Sequence, residues 1–358
     1  MSWESTRAAI VLGALRLNAN ARTALRGLDS TTTKFAKSKG MLMTFKLDPQ
    51  FAAVFAPFAE ALAAATLPAI GDIASRRTAF EAFQRRMHEA QPLPADVVTQ
   101  DFEAVTPDGA RLLLRWYMKT GSAPGSAVYY VHGGGMILSN VSIYDRPVSR
   151  YVSASGVPFL SVEYRYAPEY PHPTPVEDCY TGLRWLVEHA TELGVDPERI
   201  AVMGDSGGGG VAAGLAILTR DRPGPKLARQ ILIYPMLDDR NTLPDPHLVP
   251  FMTWSYEDNL TGWDALLGAS RGAPHASEYA AAARVLDVSG LPPTYIDVGE
   301  LDIFRDEDIA YARRLQAAGV STELHVHPGV PHGWEVFAPD IPVSVRAYAD
   351  RIRSIRSL

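Results

Sequence analysis

Cysteine is almost absent from this sequence of 358 residues, where Cys179 is the only one. A single cysteine cannot form an intramolecular disulfide, and no Cys-x-x-Cys or Cys/His spacing typical of a zinc site is present. We therefore expect a chain without a disulfide or a bound metal. Such a chain is compatible with a reducing compartment, and the cytoplasm is the predicted location.

An excess of positive charge is also lacking, since 34 Lys and Arg stand against 40 Asp and Glu, for a formal net charge of -6. No run of basic residues interleaved with aromatics occurs. A protein that holds a polyanion needs a positive field. Nucleic acid is therefore not a predicted partner.

Long apolar runs are missing as well. A transmembrane helix needs ~20 consecutive apolar residues. The N-terminal run Ala8–Leu15 is shorter, and Ala19–Ala21 after it only faintly resembles a signal-peptide cleavage site. Glu4 and Arg16 flank the run and oppose that interpretation. We expect an amphipathic helix here, no export and no membrane span.

What the sequence does contain is a helical start followed by alternating strands and helices. Residues 1–95 are rich in alanine and carry apolar side chains at helical spacing, as at Phe51, Phe55 and Phe58. Beyond residue 96, short apolar strands alternate with longer helical stretches, which is typical of a parallel sheet covered on both faces. The predicted strands are 97–105, 110–118, 127–131, 159–164, 200–203, 230–234, 294–298 and 323–326, and the predicted helices are 176–192, 208–220, 306–318 and 343–355.

The alternation stops between about residues 240 and 290, where three prolines precede an aromatic stretch with Trp254 and Trp263. This composition indicates an insertion into an α/β core. We predict an N-terminal helical region at 1–95, a first core part at 96–240, a cap insertion at 241–290 and a second core part at 291–358.

The strongest chemical motif is Gly-Asp-Ser-Gly-Gly at 204–208, between a predicted strand and a predicted helix. A nucleophile elbow places its serine on such a sharp turn, where flanking glycines avoid collisions with neighbouring backbone. The helix N-terminus behind Ser206 supplies N–H groups and partial positive charge. The motif predicts Ser206 as a catalytic nucleophile.

Two other protein classes have similar strings. A phosphate-binding loop would continue with Lys and Ser or Thr, but Val211 follows the glycines here. Trypsin-like proteases contain the same five letters, but they are all-β proteins whose histidine and aspartate precede the serine. The residue after the glycines argues against the first class, and the strand and helix alternation argues against the second.

A second glycine motif, His-Gly-Gly-Gly at 132–135, follows the predicted strand 127–131. Successive glycines let backbone N–H groups point at one small volume, as an oxyanion hole requires. We expect Gly133, Gly134 and Gly207 to be the donors. His132 itself is expected to be structural.

A serine nucleophile needs a histidine base that a carboxylate orients, and in this fold the chain order is serine, acid, histidine. His332 lies on a loop marked by proline and glycine after the last predicted strand, whereas His325 and His327 lie in or at the end of that strand. His332 is therefore the predicted base. On spacing alone Asp302, Glu300 and Asp306 compete as the acid; Asp302 is favoured, and Asp306 can instead cap the following helix.

Over residues 95–350 the sequence resembles the hormone-sensitive-lipase family of α/β-hydrolases. The resemblance rests on His-Gly-Gly-Gly at 132–135, Tyr-Arg-Tyr-Ala-Pro-Glu at 164–169, Glu-Asp at 177–178, the serine motif, Asp302 in its acidic loop and His332-Gly333. It implies an α/β-hydrolase fold, with a mostly parallel sheet, helices on both faces and a helical cap from the N-terminal region and the insertion. It also implies Asp302 as the triad acid and allows a homodimer.

The sequence departs from the family at three places. Gly207 stands where alanine is usual, Met136 where an aromatic is common, and the N-terminal region is longer than in many relatives. Gly207 keeps the backbone donor but allows its position to vary.

These motifs predict a serine carboxylesterase for small-molecule esters with short to medium acyl groups, acting through an acyl-enzyme without metal or organic cofactor. The same triad can serve an amidase, a lactonase or a deacetylase. Gibberellin receptors resemble the family without the triad histidine and bind ligands without catalysis. The presence of His332 disfavours such a binding role.

Overall fold

The computed structural model describes residues 45–64, 68–123 and 125–358. The apolar run predicted as an amphipathic helix, Ala8–Leu15, lies outside these residues. Helices and strands are numbered below along the described residues.

A single eight-stranded sheet forms the centre of the fold. Its strands are β1 Val97–Val105, β2 Arg111–Lys119, β3 Ala127–Val131, β4 Phe159–Val162, β5 Ile200–Asp205, β6 Arg229–Ile233, β7 Thr294–Gly299 and β8 Thr322–His327. They lie in the order β1-β2-β4-β3-β5-β6-β7-β8. β2 pairs antiparallel with both β1 and β4, and every other neighbouring pair is parallel. The predicted mostly parallel sheet is confirmed.

Helices cover both faces of this sheet. They are α1 Pro49–Ala64, α2 Ile73–Glu89, α3 Asp145–Ser155, α4 Thr174–Glu188, α5 Gly207–Asp221, α6 Tyr256–Leu267, α7 Arg305–Ala317, α8 Trp334–Phe337 and α9 Pro342–Arg356. Along β3, Tyr129 and Val131 belong to one apolar core and Val128 and Tyr130 to another. Successive side chains of a strand point to opposite faces, so the two cores lie on the two sides of the sheet. No helix in the described part of the chain is long and apolar enough to span a bilayer.

The sequence prediction missed two helices, α3 and α8. In α3 the buried residues Val148, Tyr151 and Val152 have helical spacing, but the helix is only 11 residues long and has Pro147 in its first turn. It ends at Gly156, whose φ of 77° is left-handed, as is common after a helix. α8 has only four residues, too few for a periodic pattern.

The N-terminal helices and the insertion contact each other. The Arg76 guanidinium of α2 forms a buried ion pair with Asp258 of α6, at 2.8 Å. The Gly71 N–H donates to the Thr261 hydroxyl at 3.1 Å. α1 packs on the core, where Phe51, Phe55 and Phe58 contact the ring of Phe337. The domain boundaries themselves stay predictions.

Candidate active site

Ser206 lies in a strained turn between β5 and α5. Its φ of 55° and ψ of -121° fall in a region that non-glycine residues rarely adopt. A side chain at Gly204 would collide with the carbonyl of Gly208, and one at Gly208 would collide with the carbonyl of His132. The glycines on either side of Ser206 are thus required by close backbone packing, as expected for a nucleophile elbow.

The loop after β6 holds the backbone of Ser206. The Ser206 N–H donates to the Ile233 carbonyl at 2.9 Å, and the Ser206 carbonyl accepts from the Met236 N–H at 3.0 Å. These two bonds oppose relaxation of the strained serine, since strain persists where the surroundings determine the conformation.

Three predicted residues from distant parts of the chain form one hydrogen-bonded chain. His332 Nε2 lies 2.9 Å from Ser206 Oγ, and His332 Nδ1 lies 2.7 Å from Asp302 Oδ2. The Asp302 carboxylate is buried and accepts a further bond at Oδ1 from the Phe304 N–H at 3.0 Å. The arrangement lets His332 take a proton from the serine while Asp302 fixes its tautomer.

The two other candidate acids point elsewhere. Glu300 accepts a bond from the Gly329 N–H at 3.0 Å, and Asp306 pairs with Arg305 at 2.7 Å. The sequence suggested that Asp306 caps α7, but it does not, because the helix already begins at Arg305 and Asp306 lies in its first turn. Only Asp302 of the three competitors is hydrogen-bonded to His332.

Side chains from three loops surround His332. The Tyr234 and Phe304 rings contact its imidazole edge-on, with centroids 4.6 and 5.1 Å away. The Thr253 hydroxyl of the insertion donates to the His332 carbonyl at 2.6 Å. Tyr234 is in turn held by its hydroxyl, which donates to Glu335 at 2.8 Å. None of these neighbours was singled out from the sequence, because they meet only after folding.

The two glycine motifs lie against each other. An ideal Cβ on Gly133 would lie 2.9 Å from the Asp205 carbonyl oxygen, and one on Gly207 would lie 2.7 Å from the Gly135 nitrogen. The same ideal Cβ on Gly133 would lie 2.7 Å from the Tyr144 hydroxyl oxygen. Gly135, which the sequence analysis did not include among the donors, is therefore a further candidate because its nitrogen faces Gly207.

His132 is buried beneath the loop that follows it. Its Nδ1 lies 2.8 Å from the Gly133 carbonyl, and its ring stacks on Tyr164 at 4.5 Å. Burial lowers the pKa of His132 to about 4, so the imidazole is neutral at pH 7. This packing agrees with the structural role expected for it.

Asp205, next to the nucleophile, points away from the triad. Its Oδ2 accepts from the Tyr130 hydroxyl at 2.8 Å. Burial raises the pKa of Asp205 to about 7, although the nearby Arg351 charge and the Tyr130 hydrogen bond act in the opposite direction. It faces a polar cavity of about 70 Å³ whose other lining residues include Tyr144, Tyr151, Tyr234, Glu335 and Arg351.

One cluster of metal-ligating side chains occurs within the described ranges, formed by Glu323, His325 and Asp350. Arg353 already pairs with Glu323 and Asp350, and His325 bonds to Glu323 at 2.6 Å. The cluster is separate from Ser206 and its charge is compensated. It offers no specific support for a metal site.

Comparison with known proteins shows which family this chain resembles. The profile of a family described as alpha/beta hydrolase fold matches residues 128–336. The carboxylesterase NlhH of Mycobacterium tuberculosis is 40% identical over 234 residues, which cover 62% of this chain and 70% of the relative. Ethyl acetate hydrolase of Pseudomonas putida is 34% identical over 246 residues, covering 65% of this chain and 74% of that enzyme.

A solved structure shows the same architecture. A bacterial heroin esterase superposes with a TM-score of 0.78 at 36% identity, covering 87% of this chain and 98% of its own. This similarity extends well beyond the segment that the family profile matches.

Proposed function

The chain belongs to the alpha/beta hydrolase fold family, and from this premise we propose that it is a carboxylesterase whose nucleophile is Ser206. The observation that carries the proposal is the hydrogen-bonded chain from Ser206 through His332 to Asp302. Such a chain is the arrangement that activates a serine hydroxyl.

In the acylation step, Ser206 Oγ attacks the ester carbonyl carbon while His332 Nε2 takes the hydroxyl proton. The buried Asp302 carboxylate stabilises the imidazolium that forms. His332 then gives this proton to the departing alcohol oxygen, and an acyl-serine remains. Water attacks the acyl-serine with His332 again as the base, which releases the acid and restores Ser206.

Backbone N–H groups stabilise the negative oxygen of each tetrahedral intermediate. The proposed donors are Gly133, Gly134 and Gly207, together with Gly135 because of its position beside Gly207. One such donor is worth on the order of 3 kcal/mol in the transition state. The positive end of the α5 dipole adds to this stabilisation.

We propose short to medium acyl esters as substrates. The Trp254 ring of the insertion packs against Gly135 and is itself buried, so an aromatic wall stands close to the proposed donors. An apolar wall favours an apolar acyl or alkoxy group. The names of two relatives, an ethyl acetate hydrolase and a heroin esterase, favour acetyl esters among these.

Hydrolysis of a p-nitrophenyl ester series from acetate to palmitate tests the proposal. Ser206→Ala should reduce kcat by a factor on the order of a thousand or more, while the purified wild type prefers the shorter chains. Ser161→Ala is the matched control, because Ser161 is a buried serine of β4 away from the triad. Equal rates for the Ser206→Ala variant and the wild type would refute the nucleophile.

Location and assembly are also proposed. A cytoplasmic location agrees with the single cysteine, and Cys179 is a buried free thiol. We also propose a homodimer, which the family resemblance allows; sedimentation equilibrium would then give twice the chain mass of 39.0 kDa.

A further inference from the structure

The loop that carries the proposed donors is backbone-strained. We define the oxyanion loop as residues 133–139. Within it Met136 has φ of 62° and Ser139 φ of 82°, both in the left-handed region that side-chain-bearing residues avoid. Strained residues keep such conformations only where surrounding contacts hold them. The loop therefore requires external support.

Helix α2 of the N-terminal region supplies that support through two side chains. Arg77 Nε donates to the Ile137 carbonyl at 2.7 Å, and a Glu81 carboxylate oxygen accepts from the Ser139 N–H at 3.0 Å. Residues four apart lie on the same face of a helix. Arg77 and Glu81 thus hold the loop from one side, at backbone groups two residues apart.

The Arg77 guanidinium is itself held in place. It forms a two-point ion pair with Glu169, with both N–O distances 2.7 Å, and donates to the Ala167 carbonyl at 3.1 Å. The Ala167 N–H in turn donates to the Met136 carbonyl of the oxyanion loop at 3.0 Å. Arg77 also lies 5.2 Å from the centre of the Tyr166 ring. A bidentate, stacked arginine has little freedom to move.

An apolar contact supports the other end of the loop. The Phe80 ring, between Arg77 and Glu81 on α2, contacts Trp254 with centroids 5.4 Å apart. Trp254 packs directly on Gly135, where a Cβ would lie 2.5 Å from its ring. Helix α2 therefore contacts the loop directly at residues 137 and 139, and indirectly at Gly135.

From these contacts we propose that α2 braces the oxyanion loop, with Arg77 and Glu81 as positioning residues for its N–H donors. The proposal deepens the esterase function and rests on it. Neither side chain needs to touch the substrate. Loss of the brace lets the loop relax, so the donors no longer converge on the developing oxyanion. Since donor alignment matters most in the transition state, kcat should fall while KM changes little.

The test compares Arg77→Gln, Glu81→Ala and Glu81→Gln for hydrolysis of p-nitrophenyl acetate. Arg77→Gln should lower kcat by about tenfold, because a small misplacement of catalytic groups costs up to about a hundredfold. Glu81→Ala should act in the same direction. Glu81→Gln should recover the rate, because its amide oxygen can still accept from the Ser139 N–H. Affinity for a trifluoromethyl ketone, which forms a tetrahedral oxyanion on a serine, should fall in parallel with kcat/KM.

Two control variants separate the brace from general effects. Glu169→Gln removes the exposed ion pair but leaves the Arg77 bond to the Ile137 carbonyl, so it should change kcat far less than Arg77→Gln. Arg85→Gln replaces an exposed arginine on the same helix. If Arg77→Gln and Glu81→Ala both keep the kcat of Arg85→Gln, or raise KM alone, the brace is refuted.

Hydrogen exchange measures the protection of the loop amides independently of catalysis. Amides in residues 134–139 should exchange faster in Arg77→Gln and Glu81→Ala than in Arg85→Gln. Unchanged exchange would refute the brace even if the protein is an esterase. If both variants exchange faster but the wild type shows no serine-dependent hydrolysis, the brace stands and only the esterase function is refuted. If Arg77→Gln does not fold, the Glu81→Ala and Glu81→Gln pair decides.

Discussion

Gly207 occupies a position where a methyl group would meet backbone atoms of the oxyanion loop. An ideal Cβ there would lie 2.7 Å from the Gly135 nitrogen and 2.8 Å from the Met136 nitrogen. Backbone atoms cannot rotate away as a flexible side chain can. The comparison with the family suggested that glycine at 207 lets the position of its N–H donor vary. The short distances show instead that the Gly207 backbone is in close contact with the oxyanion loop.

We therefore expect Gly207→Ala to push the oxyanion loop from the elbow and lower kcat by about tenfold or more. Its free energy of unfolding need not fall as far, because alanine favours the first turn of α5 by up to about 1 kcal/mol over glycine. Steady-state kinetics and urea unfolding measure the two effects. A variant with unchanged kcat would show that the loop accommodates the methyl group.

Asp205 makes stability depend on pH. Its folded-state pKa, raised to about 7 from 3.8, means that the folded protein binds a proton that the unfolded chain has lost above about pH 4. The stability from this proton is complete below about pH 4 and is lost as the pH rises through about 7.

Asp205→Asn removes this titration while keeping an acceptor for the Tyr130 hydroxyl. Relative to this variant, the wild type should lose up to about 4 kcal/mol of unfolding free energy between about pH 4 and pH 7. Urea unfolding at several pH values gives the difference, in which the titrations of other carboxylates cancel. If the difference in unfolding free energy between the wild type and Asp205→Asn stays constant across that range, the raised pKa of Asp205 is contradicted.

The triad shows how far residue patterns alone could lead. Chain order and loop position were enough to propose Ser206 and His332 before any coordinates. Spacing did not separate Asp302 from Glu300 and Asp306, because all three lie within one loop and its helix start. The direction of each carboxylate depends on the path of the loop, which long-range packing sets.

Among the helices, α2 and α6 come from parts of the chain about 180 residues apart in sequence, yet they are joined by an ion pair. The Arg76 and Asp258 side chains are 0% and 4% exposed. Arg76 also donates to the carbonyls of Pro68, Ala69 and Asp72. Asp258 additionally closes the capping box of α6 with Ser255. This pair links the N-terminal helices to the insertion.

Removal of one partner should cost more than removal of both. Arg76→Met leaves a buried carboxylate without its counterion and should lower the free energy of unfolding by about 3 kcal/mol. Adding Asp258→Asn removes that charge, while the amide still accepts from the Ser255 N–H, so part of the loss should return. Urea denaturation of the four proteins of this double-mutant cycle gives the coupling. Strictly additive changes would show that the two side chains are energetically independent.

Element prediction succeeded where apolar patterns were long or followed by clear turns. All eight strands were anticipated to within about two residues, with boundary differences of the kind expected for such patterns. α4 ends at Glu188, four residues before the predicted end, because the chain turns at His189. The contacts of α2 with the oxyanion loop could not be read from its sequence, since no local pattern names a partner 60 residues away.

At the scale of the whole molecule, the sheet brings the site together. The turn with Ser206 follows β5, the loop with Asp302 follows β7 and the loop with His332 follows β8. Because these strands are parallel, all three loops lie at the carboxyl end of the sheet. In open α/β sheets, functional groups gather at the carboxyl ends of strands for this reason. The chain between β6 and β7 and the helix α2 before β1 contact the loops at this end of the sheet, through Thr253 and Arg77.

The sequence by itself determined the alternation of strands and helices, the glycine-flanked turn at Ser206, the loop that carries the proposed base His332 and the glycine loop after β3, because each is a local pattern with a steric or chemical cause. Only the tertiary structure showed the hydrogen bond between the favoured acid Asp302 and His332, the approach of Gly135 to Gly207, and the contacts of Arg77 and Glu81 with the oxyanion loop. These contacts join residues far apart in the chain, and their geometry arises from the packing of whole elements, which short-range patterns do not encode.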